Sequence, residues 1–581
     1  MAMGSFLKNG KCRYIPRATG FLFILFVALY YVVFTGQVKM MYRGGGGFGR
    51  PAENQNLTGL AEGRERAIQG LIRALQEATM EAAGGEDEST WWTPEARERW
   101  NQENSCVSRM EMREKYKRRA SVPYEEPNAK WGEVLVEYTK LHRTCMHRVG
   151  DATAYFLNKN SSVNCKFVVV DTEEAAGLGN RLVMIQSAFT YALLTQRVLL
   201  IARGILLPEI LCEPFEGSSW RGFDSGYLVT PFRVGNEFFT KSALFYKRID
   251  VSQRVGDSAE TSPLVHPYSV ANGEGYYIEQ VDSRFYCDTE QEYYKNVPWV
   301  YIMGCLYFTP KLYAVPSFRP ILDALFPDRT ILTNTLRDVL TPSNTVWDRV
   351  KRIEEEHNLQ NADRRLGIQV RYRYKAEQFE RMHVLVEDRI LQCGVANHLL
   401  PQILGPEQPT LAPGSNQMAK TTSVFVASLF EGVKNNLTAT FGRYPTANGE
   451  RVEVVQLSNE GEQKYGVEIF QEALAEIITL SFSDYLFVTP QSTFSGCAQG
   501  YGGLVPWFIE FREDIPKSSP PCTRGQTIDV CFQVPLDYTF RCPYDAAVNN
   551  YDISRVFPDI QRCLEGDTPG LQLITLPPSP S

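Results

Sequence analysis

The chain has 581 residues, of which 44% are hydrophobic, and its formal net charge is −7 at pH 7. A single hydrophobic core stops growing at about 250 to 300 residues, so we expect more than one lobe. The acidic balance offers no basic face, and no zinc-finger spacing or RNA-binding signature is present, which argues against nucleic acid as a partner.

The first predicted element is a membrane anchor at residues 18–36. This stretch (ATGFLFILFVALYYVVFTG) is 19 residues without a charge, close to the roughly 20 that cross a bilayer as a helix. The preceding tail, residues 1–17, carries only positive charges, at Lys8, Lys11, Arg13 and Arg17. Such a tail stays cytoplasmic. A cleaved signal peptide is the alternative, but the apolar run is longer than a usual signal core and no small-x-small cleavage site follows. We therefore expect an uncleaved type II anchor with the rest of the chain in the lumen.

Sequons and cysteines agree with that placement. Glycosylation sequons occur at Asn56, Asn160 and Asn436. Twelve of the 13 cysteines follow the anchor, where an oxidising lumen permits disulfides. Their spacing fits no metal site, and the histidines form no His-Glu-x-x-His pattern. The sequence predicts structural disulfides of open connectivity and no bound metal.

Residues 37–104 have the composition of a lumenal stem. Between two glycine-rich breaks, Leu60 to Ala83 has the period of an amphipathic helix. Its apolar stripe consists of Ile68, Leu71, Ile72 and Leu75. That stripe could pair two stems in a homodimer. Because it covers barely two heptads, we favour packing against the body of the protein.

A βαβ unit opens the first lobe, which we place at residues 105–330. A β-branched strand at 166–170 leads into Gly177-Leu178-Gly179-Asn180-Arg181, a helix at 182–194 and a strand at 197–202. A glycine turn before a helix suits a phosphate or a sugar. The same turn can also be a plain connection.

The second lobe, residues 331–581, repeats the α/β pattern. Strands are predicted at 366–371, 423–429, 453–456 and 485–489, and a helix at 470–480. Two Rossmann-like lobes facing a cleft describe a GT-B glycosyltransferase, although other doubly wound enzymes share the pattern. No Asp-x-Asp occurs in the chain, so a metal on the diphosphate is not expected.

Two stretches of the second lobe predict a nucleotide-diphosphate site. Gly367 to Arg371 is an apolar strand ending in a cation, and Ser483 to Gly503 (SDYLFVTPQSTFSGCAQGYGG) breaks from a strand into a hydroxyl-rich and glycine-rich loop. A guanidinium can hydrogen-bond two phosphate oxygens at once, and loops at the carboxyl ends of strands present backbone amides to a ligand.

Ordered motifs along the chain carry a resemblance to a known family. They include Ser105-Cys106-Val107-Ser108-Arg109, Gly177 to Arg181, Cys212-Glu213-Pro214-Phe215, Leu325-Phe326-Pro327, Gly367 to Arg371, Ala473-Leu474-Ala475-Glu476, Ser492-Thr493-Phe494 and the tail cysteines Cys522, Cys531, Cys542 and Cys563. From about Glu103 to Ile574 the chain resembles the plant xyloglucan-type α-1,2-fucosyltransferases. The resemblance implies a Golgi type II enzyme of GT-B fold. Such an enzyme transfers L-fucose from GDP-fucose to a galactose hydroxyl of a cell-wall glycan, with inversion and without a metal.

The resemblance assigns the donor side residue by residue. Arg371 matches the diphosphate-binding arginine, whose alternative is a structural ion pair. The second donor motif and the glycine turn match donor-binding positions, whose alternative is a simple turn; these are Ser492, Thr493 and Phe494, and Gly177, Gly179, Asn180 and Arg181.

The acceptor side departs from the family pattern. Cys305 stands where the family usually has an aspartate, and Gln491 where it has a tryptophan. We expect Cys305 and Cys497 to be small buried thiols outside a set of ten cysteines that match family positions and could form five bridges. No carboxylate stands out as a base, and Asp288 is the nearest candidate. The acceptor is therefore open between xyloglucan and arabinogalactan. A different acceptor or linkage, and an inactive membrane-anchored glycan-binding relative, remain as alternatives.

Overall fold

The structure is a computed structural model. It describes residues 56–119, 121–124, 126–157, 163–172, 177–201, 207–221, 264–265, 285–371, 379–405, 420–457, 466–509, 519–531, 539–540, 551–552, 554, 557–563 and 570–575. The anchor predicted at 18–36, the sequon at Asn160 and Cys542 lie outside these residues. Within them, no helix combines the length and apolar character needed to cross a bilayer.

The described chain begins with helices. They are α1 (Asn56–Ala83), α2 (Pro94–Glu103), α3 (Val107–Lys117), α4 (Ala129–Val149) and α5 (Ala152–Leu157), with a short 3-10 helix at Glu88–Thr90.

A parallel sheet follows. Its strands are β1 (Phe167–Thr172), β2 (Val198–Ile201), β3 (Leu264–Val265) and β4 (Trp299–Gly304), in the order β2-β1-β4-β3. Its helices are α6 (Leu178–Leu194), α7 (Leu207–Ile210), α8 (Asp288–Tyr294), α9 (Thr309–Leu312) and α10 (Arg319–Leu325). Phe167 pairs with Val198 on one side and Trp299 on the other. Parallel neighbours need a crossover, which α6 supplies between β1 and β2.

The second sheet has the order β10-β9-β8-β5-β6-β7 and is parallel except for the β9–β10 pair. Its strands are β5 (Arg364–Val370), β6 (Thr421–Ser428), β7 (Arg451–Gln456), β8 (Tyr485–Val488), β9 (Trp507–Phe508) and β10 (Thr523–Arg524). The helices around it are α11 (Ile331–Asp338), α12 (Asn344–Glu356), α13 (Phe379–Ala396), α14 (Gly432–Arg443), α15 (Val467–Ser481) and α16 (Thr493–Gly502), with a 3-10 helix at Leu359–Asn361.

Alternation along the strands divides the core of this second sheet. Ile368 and Val424 point to one face, where they pack with α13 and α14. Phe425 and Leu486 point to the opposite face and join α15 and α16 in a cluster that continues into the first lobe. Side chains of successive strand residues point to opposite faces, so one sheet serves both clusters. The fold is the two-lobed GT-B type expected from the sequence.

The end of the chain returns to the first lobe. The last strands of the chain are short: β11 (Thr539–Phe540), β12 (Tyr551–Asp552), β13 (Ile560–Arg562) and β14 (Leu571–Leu573). Asp559, next to β13, is fully buried and accepts hydrogen bonds from Arg319, 2.6 Å away, and from Arg329, 3.1 Å away. A buried carboxylate needs such partners, so the contacts with the two arginines hold the C-terminal segment against the first lobe.

The apolar stripe of α1 packs within the same chain. Ile68, Leu71, Ile72 and Leu75 are buried, and α1 lies against α4 and α10. This confirms the preferred interpretation of the stripe. The stripe therefore cannot serve as the seam of a coiled coil between two stems.

Disulfides join distant segments. The pairs are Cys106–Cys212, Cys145–Cys165, Cys393–Cys522 and Cys531–Cys563. Cys287 and Cys305 are also disulfide-bonded. The expectation that Cys305 is a free thiol is therefore wrong, because its sulfur is used in a covalent bond.

Candidate functional site

Two helix N-termini meet at the carboxyl ends of strands from both sheets. α6 begins after the extended residue Gly177, and α16 begins after the extended residue Ser492. Among the described residues, neither helix has a side-chain hydrogen bond at its N-cap. A helix N-terminus presents unpaired N–H groups and a partial positive charge, which attract anions. The fold thus brings the predicted glycine turn and the predicted second donor motif together.

Gly179 allows this close approach. A Cβ on Gly179 would lie 2.6 Å from the carbonyl carbon of Thr493 and 2.8 Å from the backbone nitrogen of Phe494. Real Cβ atoms do not approach backbone so closely. A Cβ on Gly177, by contrast, would meet no atom of the described residues within 4 Å. The two glycines therefore differ in role, since Gly179 is required for packing, whereas no packing contact with the described residues requires a glycine at Gly177.

Asn180 joins three segments at this junction. Its Nδ2 donates to the carbonyl oxygen of Cys305 over 3.0 Å, and its Oδ1 accepts a hydrogen bond from Thr493 Oγ1. Cys305 directly follows β4, so the side chain of Asn180 connects the first sheet to the start of α16.

Ser492 is a buried hydroxyl with spare hydrogen-bonding capacity. The residue is 6% exposed, and its Oγ has no hydrogen-bond partner in the part of the chain that the structure describes. A buried polar group without a partner costs free energy. Placed at the N-cap of α16, this hydroxyl is suited to bind a ligand oxygen.

Arg371 lies at the carboxyl end of β5, next to the segment that leads to Ser492. Its backbone N–H donates to Thr489 Oγ1 over 3.0 Å, and the Thr489 N–H donates to Gln369 O over 3.0 Å. The Arg371 side chain reaches solvent, and no carboxylate among the described residues pairs with it. Desolvation by the surrounding protein lowers the pKa of Arg371, but a guanidinium remains charged at neutral pH.

Thr489 is a site residue that the sequence interpretation missed. It directly follows β8, and β8 is the parallel neighbour of β5, with Gln369 opposite Val488. Residues at the carboxyl ends of adjacent parallel strands share one edge of the sheet. The signal was therefore available in the predicted strand end at residue 489.

Gly367 supports the strand that carries Arg371. A Cβ on Gly367 would lie 2.7 Å from Ser483 Oγ and 3.0 Å from Leu486 Cδ1. Glycine therefore lets the segment after α15 lie directly against β5.

The remaining donor-side residues contribute to packing. Arg181 is buried, with its guanidinium 5.3 Å from the centre of the Phe470 ring, as in a cation–π contact. Phe494 packs half-buried against the large hydrophobic cluster. The structure places both beside the two helix starts rather than in an open recess.

The acceptor-side predictions fall on groups with structural partners. Asp288 Oδ1 accepts from the backbone N–H of Ser317 over 3.1 Å. Cys305 is 1% exposed and disulfide-bonded. Neither side chain is presented as a general base.

Cys497 is a free and fully buried cysteine, as expected. Its Sγ donates to Gly179 O over 3.5 Å, and burial raises the pKa of its thiol. A thiol without thiolate character is a poor nucleophile, so its role is to pack α16 against α6.

The structure describes two of the three predicted glycosylation sequons and many of the candidate metal ligands. The described ranges contain no group of three or more His, Cys, Asp or Glu side chains that could hold a metal ion. Asn436 is half-buried within α14, and its side chain lies beside the Glu387 carboxyl group. Asn56 is the first residue of α1.

Comparisons with known proteins agree on one family. Residues 100–541 match the family described as xyloglucan fucosyltransferase. The chain is 32% identical to a galactoside 2-alpha-L-fucosyltransferase of Arabidopsis thaliana over 492 residues, or 81% of each chain. It is 32% identical to a protein of the same description from Pisum sativum, over 71% of this chain and 70% of the relative. Among solved structures, a mutant of Arabidopsis thaliana FUT1 in complex with GDP is similar, with a TM-score of 0.67 and 30% identity over 81% of this chain and 97% of that one.

Proposed function

Because the chain belongs to the xyloglucan fucosyltransferase family, we propose that it transfers L-fucose from GDP-fucose to a galactose hydroxyl of a cell-wall glycan. The linkage formed is α-1,2, and the transfer inverts the anomeric centre without a metal ion. Support comes from the galactoside 2-alpha-L-fucosyltransferases that the chain resembles and from the GDP-bound structure of its fold.

The observation that carries this proposal is the donor-side wall. Arg371 is a guanidinium without a described acidic partner, and Thr489 connects its strand to the segment that leads to the unpartnered hydroxyl of Ser492. Together with the N–H groups at the start of α16, these groups match the charge of a diphosphate.

The proposed chemistry is stabilisation of the leaving group. As the bond between fucose and the diphosphate breaks, negative charge grows on the phosphate oxygen. Arg371 donates two N–H groups to that charge, while Ser492 and the α16 amides hold the other oxygens. Fixed donors in a site that excludes water are worth more than the same donors in bulk solvent.

Deprotonation of the acceptor is proposed to occur late and through water. The side chain of Cys305 is committed to a disulfide and its carbonyl oxygen to Asn180, so this position supplies no base. Asp288 is held by the Ser317 N–H. A transition state with little bonding to the acceptor needs only late proton loss.

A second candidate is an inactive, membrane-anchored glycan-binding relative. Cys305, standing where the family pattern has an aspartate, favours it. A third keeps GDP-fucose as donor but uses a different acceptor or linkage.

One assay separates these functions. The full chain in detergent is supplied with GDP-fucose and EDTA, and GDP release is measured with xyloglucan, with arabinogalactan and with each polymer after enzymatic removal of galactose. We expect release only with a galactosylated acceptor, and an NMR spectrum of the product with an α-1,2 linkage. GDP binding by calorimetry without turnover on any acceptor would favour the inactive relative. Another linkage would favour the third candidate. If the protein neither binds GDP nor releases it with any acceptor, the donor assignment is rejected.

We also propose the cellular setting expected from the sequence: a single-pass type II protein of the Golgi membrane with its catalytic part in the lumen. The apolar residues 18–36 and the basic residues before them support this placement. The cysteine-rich lumenal part agrees with it, because disulfides form in oxidising compartments.

A further inference from the structure

We propose that Asn180 is a positioning residue, whose carboxamide holds the donor-side start of α16 against the acceptor-side end of β4, and that it does not itself bind the donor. This inference rests on the proposed function. It assigns different roles to Ser492 and Thr493, which the sequence placed together in one donor-binding motif.

The first step is the direction of the hydrogen bonds. Asn180 Nδ2 donates to the Cys305 carbonyl over 3.0 Å, and Asn180 Oδ1 accepts from the Thr493 hydroxyl. A carboxamide is suited to this place because it donates at one end and accepts at the other. An aspartate could accept from Thr493 but would place a negative oxygen against the carbonyl of Cys305.

The second step is the rigidity of the support. Asn180 is the third residue of α6, and Gly179 beside it touches the backbone of Thr493 so closely that no Cβ fits. On the next turn of α16, Cys497 Sγ donates to Gly179 O over 3.5 Å. The two helix starts are thus held by backbone contact, and the amide of Asn180 extends the junction to β4.

The third step is the different hydrogen bonding of the two hydroxyls in the second donor motif. Thr493 Oγ1 donates a hydrogen bond to Asn180 Oδ1, whereas Ser492 Oγ is buried and has no partner among the described residues. The hydroxyl of Ser492 and the amides of α16 are therefore the groups left for phosphate oxygens. The hydroxyl of Thr493 fixes where those groups point.

The consequence for the reaction is geometric. The Thr493 end of the link belongs to the donor wall and the Cys305 end to the acceptor side, so loss of the link misaligns the two substrates. A misplacement of about 1 Å can slow a reaction roughly 100-fold.

The test is a double-mutant cycle in the full chain. The variants are Asn180→Ala, Thr493→Val and the double variant, with Thr493→Ser and Asn180→Asp as probes of the bond and Asn435→Ala, an exposed asparagine of α14, as the matched control. For each variant, kcat, both KM values, the Kd for GDP and the Tm are measured.

The expected result is coupling in kcat. Asn180→Ala and Thr493→Val each lower kcat at least about tenfold, the double variant is no slower than the slower single variant, and the Kd for GDP stays within about threefold. Thr493→Ser keeps the hydroxyl and retains most activity, Asn180→Asp falls with Asn180→Ala, and Asn435→Ala behaves as the wild type. A merely structural role would lower the Tm and the active fraction without this coupling.

Each result that contradicts the expectation rejects a different assignment. If the effects of the two substitutions multiply and Asn180→Ala also weakens GDP binding, Asn180 contacts the donor itself and the positioning role is rejected. If the wild type transfers no fucose, the proposed function fails, and the same cycle measured in the free energy of unfolding tests the hydrogen bond between Asn180 and Thr493 by itself: effects that do not add support the link, and effects that add reject it. Unchanged kinetics in both single variants reject the inference outright.

Discussion

Arg371 is a cation held at a strand end by its backbone, and none of the described residues forms an ion pair with it. Its N–H bonds Thr489, its side chain reaches solvent, and no described carboxylate neutralises it. We expect Arg371→Ala to lower kcat/KM at least about 100-fold, since removal of one fixed donor to a developing anion costs about 3 kcal/mol. The Tm should change by roughly 1 °C or less, because surface substitutions without buried partners are nearly neutral.

Two further variants sharpen the Arg371 prediction. Arg371→Lys keeps the charge but loses the paired N–H groups, so kcat/KM should fall between those of the wild type and Arg371→Ala. Arg451→Ala, which removes a 74% exposed arginine at the start of β7, serves as the control. Retained transfer by Arg371→Ala would remove the guanidinium from the mechanism.

Gly179 and Gly177 form a matched pair two residues apart. Gly179→Ala would place a Cβ 2.6 Å from the backbone of Thr493, whereas the Cβ of Gly177→Ala would meet no described atom within 4 Å. We expect Gly179→Ala to destabilise the chain by about 1–3 kcal/mol, a usual cost of overpacking, and to reduce activity strongly. Gly177→Ala should leave the Tm almost unchanged. Thermal unfolding of both variants checks this, and equal Tm values would contradict the contact between α6 and α16.

At the scale of single elements, α13 ends in a strained conformation. After Ala396 the chain turns through His398, which has a φ of 58°, and Leu399 N–H donates to Gly394 O over 2.7 Å. Helices commonly stop with a left-handed residue, for which glycine has no steric cost. Because His398 is exposed, His398→Gly should raise the free energy of unfolding by up to about 1 kcal/mol.

The opposite substitution at the same position is the control. His398→Val introduces a β-branched side chain where φ is positive, which is unfavourable, and should lower the apparent Tm. Differential scanning calorimetry of the three proteins at one scan rate gives the order Gly, His, Val. If glycine and valine gave the same Tm, strain at the end of α13 would be excluded.

The elements themselves were largely predictable, because burial imposes a period on the sequence. The strand predicted at 366–371 is observed at Arg364–Val370, and the helix predicted at 182–194 begins earlier, at Leu178. The helix start was missed because Gly177 to Arg181 lacks the apolar period while its glycines suggest a turn. The two-residue strands β9 to β12 were missed because two residues define no period.

On the scale of the whole molecule, the meeting of distant segments was not predictable from the sequence. Asn180 and Thr493 are 313 residues apart, and no local pattern shows that one accepts a hydrogen bond from the other. The disulfide Cys393–Cys522 spans 129 residues, and spacing alone left its connectivity open. The sequence thus supplied the donor-side residue types, while packing decided which of them remain available to a ligand.

Two buried groups should give the stability of the whole molecule opposite dependences on pH. His142 donates from Nε2 to Leu199 O over 3.0 Å and accepts from Ser218 at Nδ1. These are the bonds of the neutral ring, and burial lowers the pKa of His142 to about 4. Since the pKa of an unfolded histidine is about 6.5, this contribution is present above pH 6.5 and is lost as the pH falls to about 4.

Asp529 acts in the other direction. Its carboxyl group is buried between Tyr307 OH and the Leu573 N–H, and burial raises the pKa of Asp529 to about 7. Because the unfolded pKa is about 3.9, this contribution is present below about pH 4 and is lost as the pH rises to about 7. In the wild type the two slopes oppose each other between about pH 4 and 6.5.

Single substitutions separate the contributions of His142 and Asp529. The difference in unfolding free energy between a variant and the wild type contains only the titration of the substituted group, because the other groups titrate equally in both proteins. Asp529→Asn resembles the protonated acid, with its carbonyl oxygen toward Leu573 N–H, and should gain up to about 4 kcal/mol relative to the wild type between pH 4 and 7. For His142→Gln, the deficit relative to the wild type should shrink by up to about 3 kcal/mol as the pH falls from 6.5 to 4. Denaturant unfolding at half-unit pH steps measures both differences. A difference that stays flat with pH for either variant would show that the residue keeps the same pKa in the folded and the unfolded chain.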